Sequence, residues 1–270
     1  MDCGDKIYSE DYFDLLIEYG RYLSQLEADP NLCYDIINIT HAVVYYPIRN
    51  LPSNFLQIYG YGSIPSCFGL LDLPSLEASG VRRARNIPAL DLRGNGVLIG
   101  IIDTGIDYTH KAFIKADGTS KILSIWDQTI ISDNHPEGFF YGTEYTREQI
   151  NTALASENPL SVVPSVDEIG HGTFLAGIAA GNLDEANNFS GVVPDSELVV
   201  VKLKPAKKNL MKFFSIPPDV QCYQETDIML AMKYLNNTAT RLNKPMSIII
   251  GLGTTSGGHD ERGALSTSVS

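Results

Sequence analysis

The strongest constraint on the fold is an unbroken apolar run, Val97-Leu98-Ile99-Gly100-Ile101-Ile102, that ends on a carboxylate, Asp103. A strand that is apolar at every position needs cover on both faces, as in a parallel sheet with helices above and below. Leu198-Val199-Val200-Val201-Lys202-Leu203 and Ser247-Ile248-Ile249-Ile250 repeat the pattern. Between the runs, His171 to Ala180 and Thr226 to Leu235 read as helices, the latter with Ile228, Met229, Met232 and Leu235 at helical spacing. Strands alternating with helices predict a parallel sheet in an α/β fold.

The first sixty or so residues read differently. Tyr12 to Tyr22 mixes aromatic, aliphatic and acidic residues and predicts a strand running into a helix. His41 to Ile48 is β-branched and aromatic, a strand stopped by Pro47. A turn-rich stretch, Tyr59 to Ser66, follows. These features predict a small α+β module at residues 1–62 and a main domain at 63–270, with the junction between 58 and 86. A formal charge of −12 disfavours a nucleic-acid partner, which needs a basic face for phosphates. The start, Met1 to Lys6, is acidic and polar, unlike a secretory signal, and the apolar runs are too short to span a bilayer. Cytoplasmic synthesis without a membrane partner is the expectation. Cys3, Cys33, Cys67 and Cys222 lack metal-ligand or redox spacing, so free thiols are expected.

Asp103 sits where open α/β sheets collect working groups, just beyond the carboxyl end of a strand, with Gly105 allowing the chain to turn. Taken alone, it could equally cap a turn or a helix. His171 lies between Gly170 and Gly172, sterically open, at a helix start. The positive end of the helix dipole disfavours imidazolium there and predicts a neutral base. Against that, a lone histidine is more often structural. His110, His135 and His259 have no carboxylate or cysteine at ligand spacing, so no metal and no cofactor is assigned. Trp126 and Phe139-Phe140-Tyr141 read as packing rather than as a binding cage. Gly94, Gly96 and Gly100 precede and interrupt a strand, whereas a dinucleotide fingerprint follows its strand and opens a helix.

Taken together, Asp103-Thr104-Gly105-Ile106-Asp107 and Gly170-His171-Gly172-Thr173 resemble the aspartate and histidine motifs of the subtilisin-like serine proteases, in the family's order of Asp, His, then Ser. Gly191-Val192-Val193-Pro194-Asp195 resembles the family's Gly-Val-Ala-Pro loop, and Ile249-Ile250-Gly251-Leu252-Gly253 its Ser-Leu-Gly segment. The resemblance covers roughly residues 87–260. It implies a subtilisin-like doubly wound parallel sheet, incomplete in this chain, preceded by a small α+β prodomain. It also implies a serine endopeptidase of protein or peptide substrates, in which His171 is the base and Asp103 its orienting group. Gly251, Leu252 and Gly253 would bind extended peptide through the backbone, although Gly251 stands where the family commonly has serine. The module at 1–62 would be the protein's own intramolecular inhibitor.

Gly62 to Leu70, Ile122 to Gln128 and Tyr141 to Thr146 resemble the clostridial germination-type, Csp-like branch. That branch implies spore association and includes pseudoproteases, so a non-enzymatic binding or regulatory protein is the competing reading. The family's Gly-Thr-Ser helix and its oxyanion asparagine are not found. Ser256 runs into Gly257-Gly258, and Ser266 to Ser270 lies at the chain terminus. The sequence predicts a piece of a longer reading frame, or a tail altered after His259-Asp260, and no acyl-enzyme chemistry in the chain as given.

Overall fold

In the computed structural model, which describes residues 3–18, 20, 32–71, 92–184, 186, 189–255 and 263–269, the apolar runs form three adjacent strands at one side of a five-stranded sheet. The strands in chain order are β1 (Tyr12–Glu18), β2 (Cys33–Ile36), β3 (His41–Pro47), β4 (Cys67–Leu70), β5 (Leu98–Asp103), β6 (Ile122–Asp127), β7 (Thr143–Thr146), β8 (Glu197–Lys202), β9 (Tyr223–Gln224), β10 (Met246–Ile250) and β11 (Leu252–Gly253). The helices are α1 (Cys3–Tyr8), α2 (Phe55–Tyr59), α3 (Arg147–Leu154), α4 (His171–Ala180), α5 (Lys208–Phe213), α6 (Glu225–Leu242) and α7 (Ala264–Val269).

The large sheet runs β10-β5-β8-β6-β7, parallel except for the antiparallel edge strand β7. Its residues alternate between two cores. Ile102, Val199 and Val201 pack with Trp126 and with Ile228, Met229 and Leu235 of α6. Ile99, Ile101, Leu198 and Val200 pack with Ala176, Ala179 and Ala180 of α4 and Ile150 of α3. Full burial of each such side chain contributes about 1.5–3 kcal/mol, which is why β5 is apolar up to Asp103 and β8 is apolar between Glu197 and Lys202. The sheet is therefore wound on both faces. Gly100 lets α6 lie close, since a Cβ there would stand 2.8 Å from Leu235 Cδ1 and 2.9 Å from Met246 Sδ.

Helix α6 is longer than the periodic stretch Thr226 to Leu235 predicts, reaching Leu242 and stopping at left-handed Asn243, φ 50°. Its last turns carry polar residues, so apolar periodicity marks only the part that faces the core.

Before the main sheet, β1, β3 and β2 form an antiparallel three-stranded sheet, with β3 ending at Pro47 as expected. The continuation toward Tyr22 lies outside the described residues, as do Ser256, His259 and the part of the domain junction from 72 onward. A disulfide joins Cys3 of α1 to Cys33 of β2, Cα atoms 5.5 Å apart. This corrects the expectation of four free thiols, which weighed compartment and sequence spacing but not the tertiary contact of α1 with β2. Cys67 and Cys222 remain free and share a small apolar cluster with Ala206 and Met211.

A third sheet, β11-β4-β9, is antiparallel and joins segments far apart in sequence. No helix among the described residues is long and apolar enough to cross a membrane.

Candidate active site

Asp103 is the last residue of β5 and is fully buried. The N–H of Thr104 donates to its Oδ1 at 2.7 Å. His171 is the first residue of α4, entered from Gly170 at φ 83°. His171 Nδ1 lies 2.8 Å from the same Asp103 oxygen, so the carboxylate accepts and Nδ1 carries the proton. The two expected residues thus meet at the carboxyl edge of the sheet.

This approach depends on glycine. A Cβ at Gly172 would run into the Gly105 carbonyl and stand 3.2 Å from Asp103 Cβ. At Gly251 a Cβ would collide with Asp103 Oδ2 and Leu175 Cδ1 and lie 2.9 Å from His171 Cε1. A residue with a side chain at 251 needs a wider gap between β10 and the pair than this chain has. Asp103 Oδ2 is left buried without a hydrogen-bond partner among the described residues.

The second imidazole nitrogen is also engaged. His171 Nε2 lies 3.0 Å from the carbonyl oxygen of Leu71. Leu71 follows β4, which pairs antiparallel with β11 through Leu70 opposite Leu252 and Gly69 opposite Gly253. The ladder continues with the Leu71 N–H donating to the Gly251 carbonyl at 3.0 Å. The Leu71 side chain covers Gly253, where a Cβ would come within 2.6 Å of Leu71 Cδ2. Gly251, Leu252 and Gly253 therefore hold an extended segment by backbone pairing, and that segment belongs to the chain itself.

Acceptors face both ring nitrogens, an arrangement that favours protonation of the imidazole. Burial, the largest influence, pulls its pKa down. The bonds to Asp103 and to the Leu71 carbonyl, with the charges of Asp103 and Asp167, outweigh burial and leave the pKa raised.

Two participants escaped the sequence reading, Leu71 and Asp167, and Thr104 stood in the aspartate motif without a role. The glycine at 170 was a usable signal for Asp167. Gly170 offers no capping side chain, so a polar residue just upstream has to supply the acceptor. Trp126 is core, its ring 4.7 Å from that of Phe139 and 5.2 Å from that of Tyr141. Among the described residues no group of three or more His, Cys, Asp or Glu side chains could hold a metal ion.

The sequence profile of the subtilase family matches residues 94–215, a span that includes both Asp103 and His171. Over that span the chain is subtilase-like. The solved structure of the Clostridium perfringens CspB protease is similar to it, with 33% identity and a TM-score of 0.57 over 72% of this chain and 36% of that one. The PII-type proteinase of Lacticaseibacillus paracasei is 30% identical over 114 residues, which are 41% of this chain and 6% of that protein. A subtilisin-like protease of Arabidopsis thaliana is 30% identical over 131 residues, 40% of this chain and 15% of its own length. The chain thus spans only a small part of these relatives. Its α/β architecture and Csp-like character agree with the sequence motifs.

Proposed function

We propose that this chain supplies the base and its orienting carboxylate to a serine endopeptidase of the subtilisin type, acting on peptide bonds of a protein substrate. One observation carries the reading: the Asp103–His171 pair directs Nε2 at a peptide carbonyl borne by a strand paired with β11. In such a site a serine hydroxyl attacks the carbonyl, His171 takes its proton, and Asp103 stabilises the imidazolium. Among the described residues no serine hydroxyl bonds to His171, and the nucleophile belongs to a segment outside them.

The same geometry supports intramolecular inhibition by the stretch that follows the amino-terminal module, with Gly69, Leu70 and Leu71 lying along β11 as a substrate would. Leu71 then takes the place of the residue whose carbonyl faces the base, and the bond after it is the candidate processing bond.

Labelling with a serine-directed fluorophosphonate tests the reading on a longer product that carries a Gly-Thr-Ser helix, beside the present chain. Serine labelling in the longer product that is lost on His171→Ala supports the protease. Such a product left unlabelled once residues 67–71 are displaced would instead support a binding or regulatory protein on this fold.

A further inference from the structure

We propose that Asp167 is a positioning residue for the Asp103–His171 pair, one carboxylate that ties the backbone following Asp103 to the first turn of the helix that begins at His171. Asp167 makes no bond to His171. Its Oδ1 accepts from the Thr104 hydroxyl at 2.7 Å and from the Gly170 N–H at 2.9 Å. Its Oδ2 accepts from the Thr173 N–H at 2.8 Å and the Thr173 hydroxyl at 2.6 Å.

Each partner reaches across the same gap. The Thr104 hydroxyl, while donating to Asp167, accepts from the Gly172 N–H at 2.9 Å. The Thr173 hydroxyl accepts from the Asp107 N–H at 2.8 Å. Residues 104 and 107 follow β5, and residues 170, 172 and 173 open α4, so the carboxylate and two hydroxyls lace the loop after Asp103 to the helix start. The Thr104 N–H also donates to the Asp103 oxygen that accepts from His171. A shift of Thr104 therefore shifts the acceptor.

The segment carrying Asp167 is itself fixed to the carboxyl edge of the sheet. The Ser165 hydroxyl donates to Asp127 Oδ2 at 2.6 Å, at the end of β6. Lys202, ending β8, donates to the Val166 carbonyl at 2.7 Å and to Glu168 Oε2 at 2.8 Å. Asp167 thus refers the imidazole to three strand ends at once. Its four donors outweigh the burial that would raise it and hold its pKa below the usual aspartate value, so it stays an acceptor at neutral pH. A side chain that sets the separation of base and orienter this way acts on geometry rather than on the reacting atoms.

The test uses the full chain and nuclear magnetic resonance of the His171 ring, assigned with His171→Gln. The indole signal of Trp126, the single tryptophan, reports in the same samples whether the core is intact. In the unaltered protein the Nδ1 proton should resonate far downfield and His171 should titrate above its ordinary value. Asp167→Ala should lose the downfield resonance and move the titration to lower pH. Thr104→Ala keeps the charge of Asp167 and its contacts with Gly170 and Thr173 but cuts the link to the strand end. It should shift both readouts in the same direction, and the double variant should go little further than Asp167→Ala alone. Should Asp167→Ala fail to fold, Asp167→Asn and Thr104→Ala decide. The proposal is overturned if Asp167→Ala, or Asp167→Asn in its place, lowers stability with the Nδ1 resonance and titration unchanged. It is overturned equally if Thr104→Ala leaves both readouts where they were, which would reduce Asp167 to a helix cap and a distant charge.

Discussion

Lys207 and Asp14 form a buried ion pair, Nζ to Oδ1 2.5 Å, with both side chains 3% exposed, across 193 positions of sequence. The lysine also donates to the Lys6 and Tyr12 carbonyls, and Gln224 Nε2 donates to the other Asp14 oxygen at 2.6 Å. A polar node thus fastens the amino-terminal sheet to the main domain. Asp14→Ala strands the lysine charge away from water and is expected to cost about 3–5 kcal/mol, measured by denaturant unfolding. Replacing both residues with apolar ones of similar volume should cost much less, because no charge is then left behind. Equal losses in the two experiments would contradict this account.

The raised pKa of His171 predicts a pH dependence of stability. Its charge is favoured in the folded state, so the contribution is full below the unfolded value of about 6.5 and disappears as pH rises through the folded value. The difference in unfolding free energy between the chain and His171→Gln should shrink as pH rises above about 6.5. A difference that grows with rising pH there would show that the fold does not favour the charged ring.

Glu197 is expected to shape the acid limb. Burial acts to raise its pKa. Bonds from Lys244 at 2.6 Å and Arg147 at 2.5 Å outweigh burial and bring it down from 4.5 to about 2. Its contribution is present above pH 4.5 and is lost as pH falls toward 2. Glu197→Gln should cost about 1–2 kcal/mol at neutral pH, part of the interaction being screened by solvent, and should flatten the acid titration of stability.

Gly172→Ala tests the close approach of α4 to the Asp103 loop. The added methyl meets the Gly105 carbonyl and stands 3.1 Å from the Gly105 nitrogen, so helix and loop must separate. A loss of about 1–3 kcal/mol is expected, with a downward shift in the titration of His171. Calorimetry and imidazole titration on one sample check both. An unchanged titration would mean that the gap opens without disturbing the pair.

The strands that position Asp103 were readable because burial on both faces leaves β5 apolar up to Asp103 and β8 apolar between Glu197 and Lys202. Helix α4 was readable from its small and apolar residues, and its bounds match the sequence reading. Sheet β11-β4-β9 left no comparable trace. Its strands have two to four residues, too few for a period, and their partners are set by packing between distant segments. Leu71 escaped for that reason. Asp167 escaped because an aspartate in a polar loop is common, and only the neighbouring Thr104 and Thr173 hydroxyls give it a purpose. The Cys3–Cys33 link escaped because spacing along the chain carries no information about which helix docks on which strand.

The engagement of Leu71 with His171 has a consequence for any outside peptide. To pair with β11 it must first find Cys67–Leu71 lifted away, so its apparent dissociation constant is the intrinsic one divided by the fraction of molecules in the open state. Access is therefore a competition between two extended segments for one edge, and a change that frays β4 would sharpen binding without altering a single contact made by the newcomer.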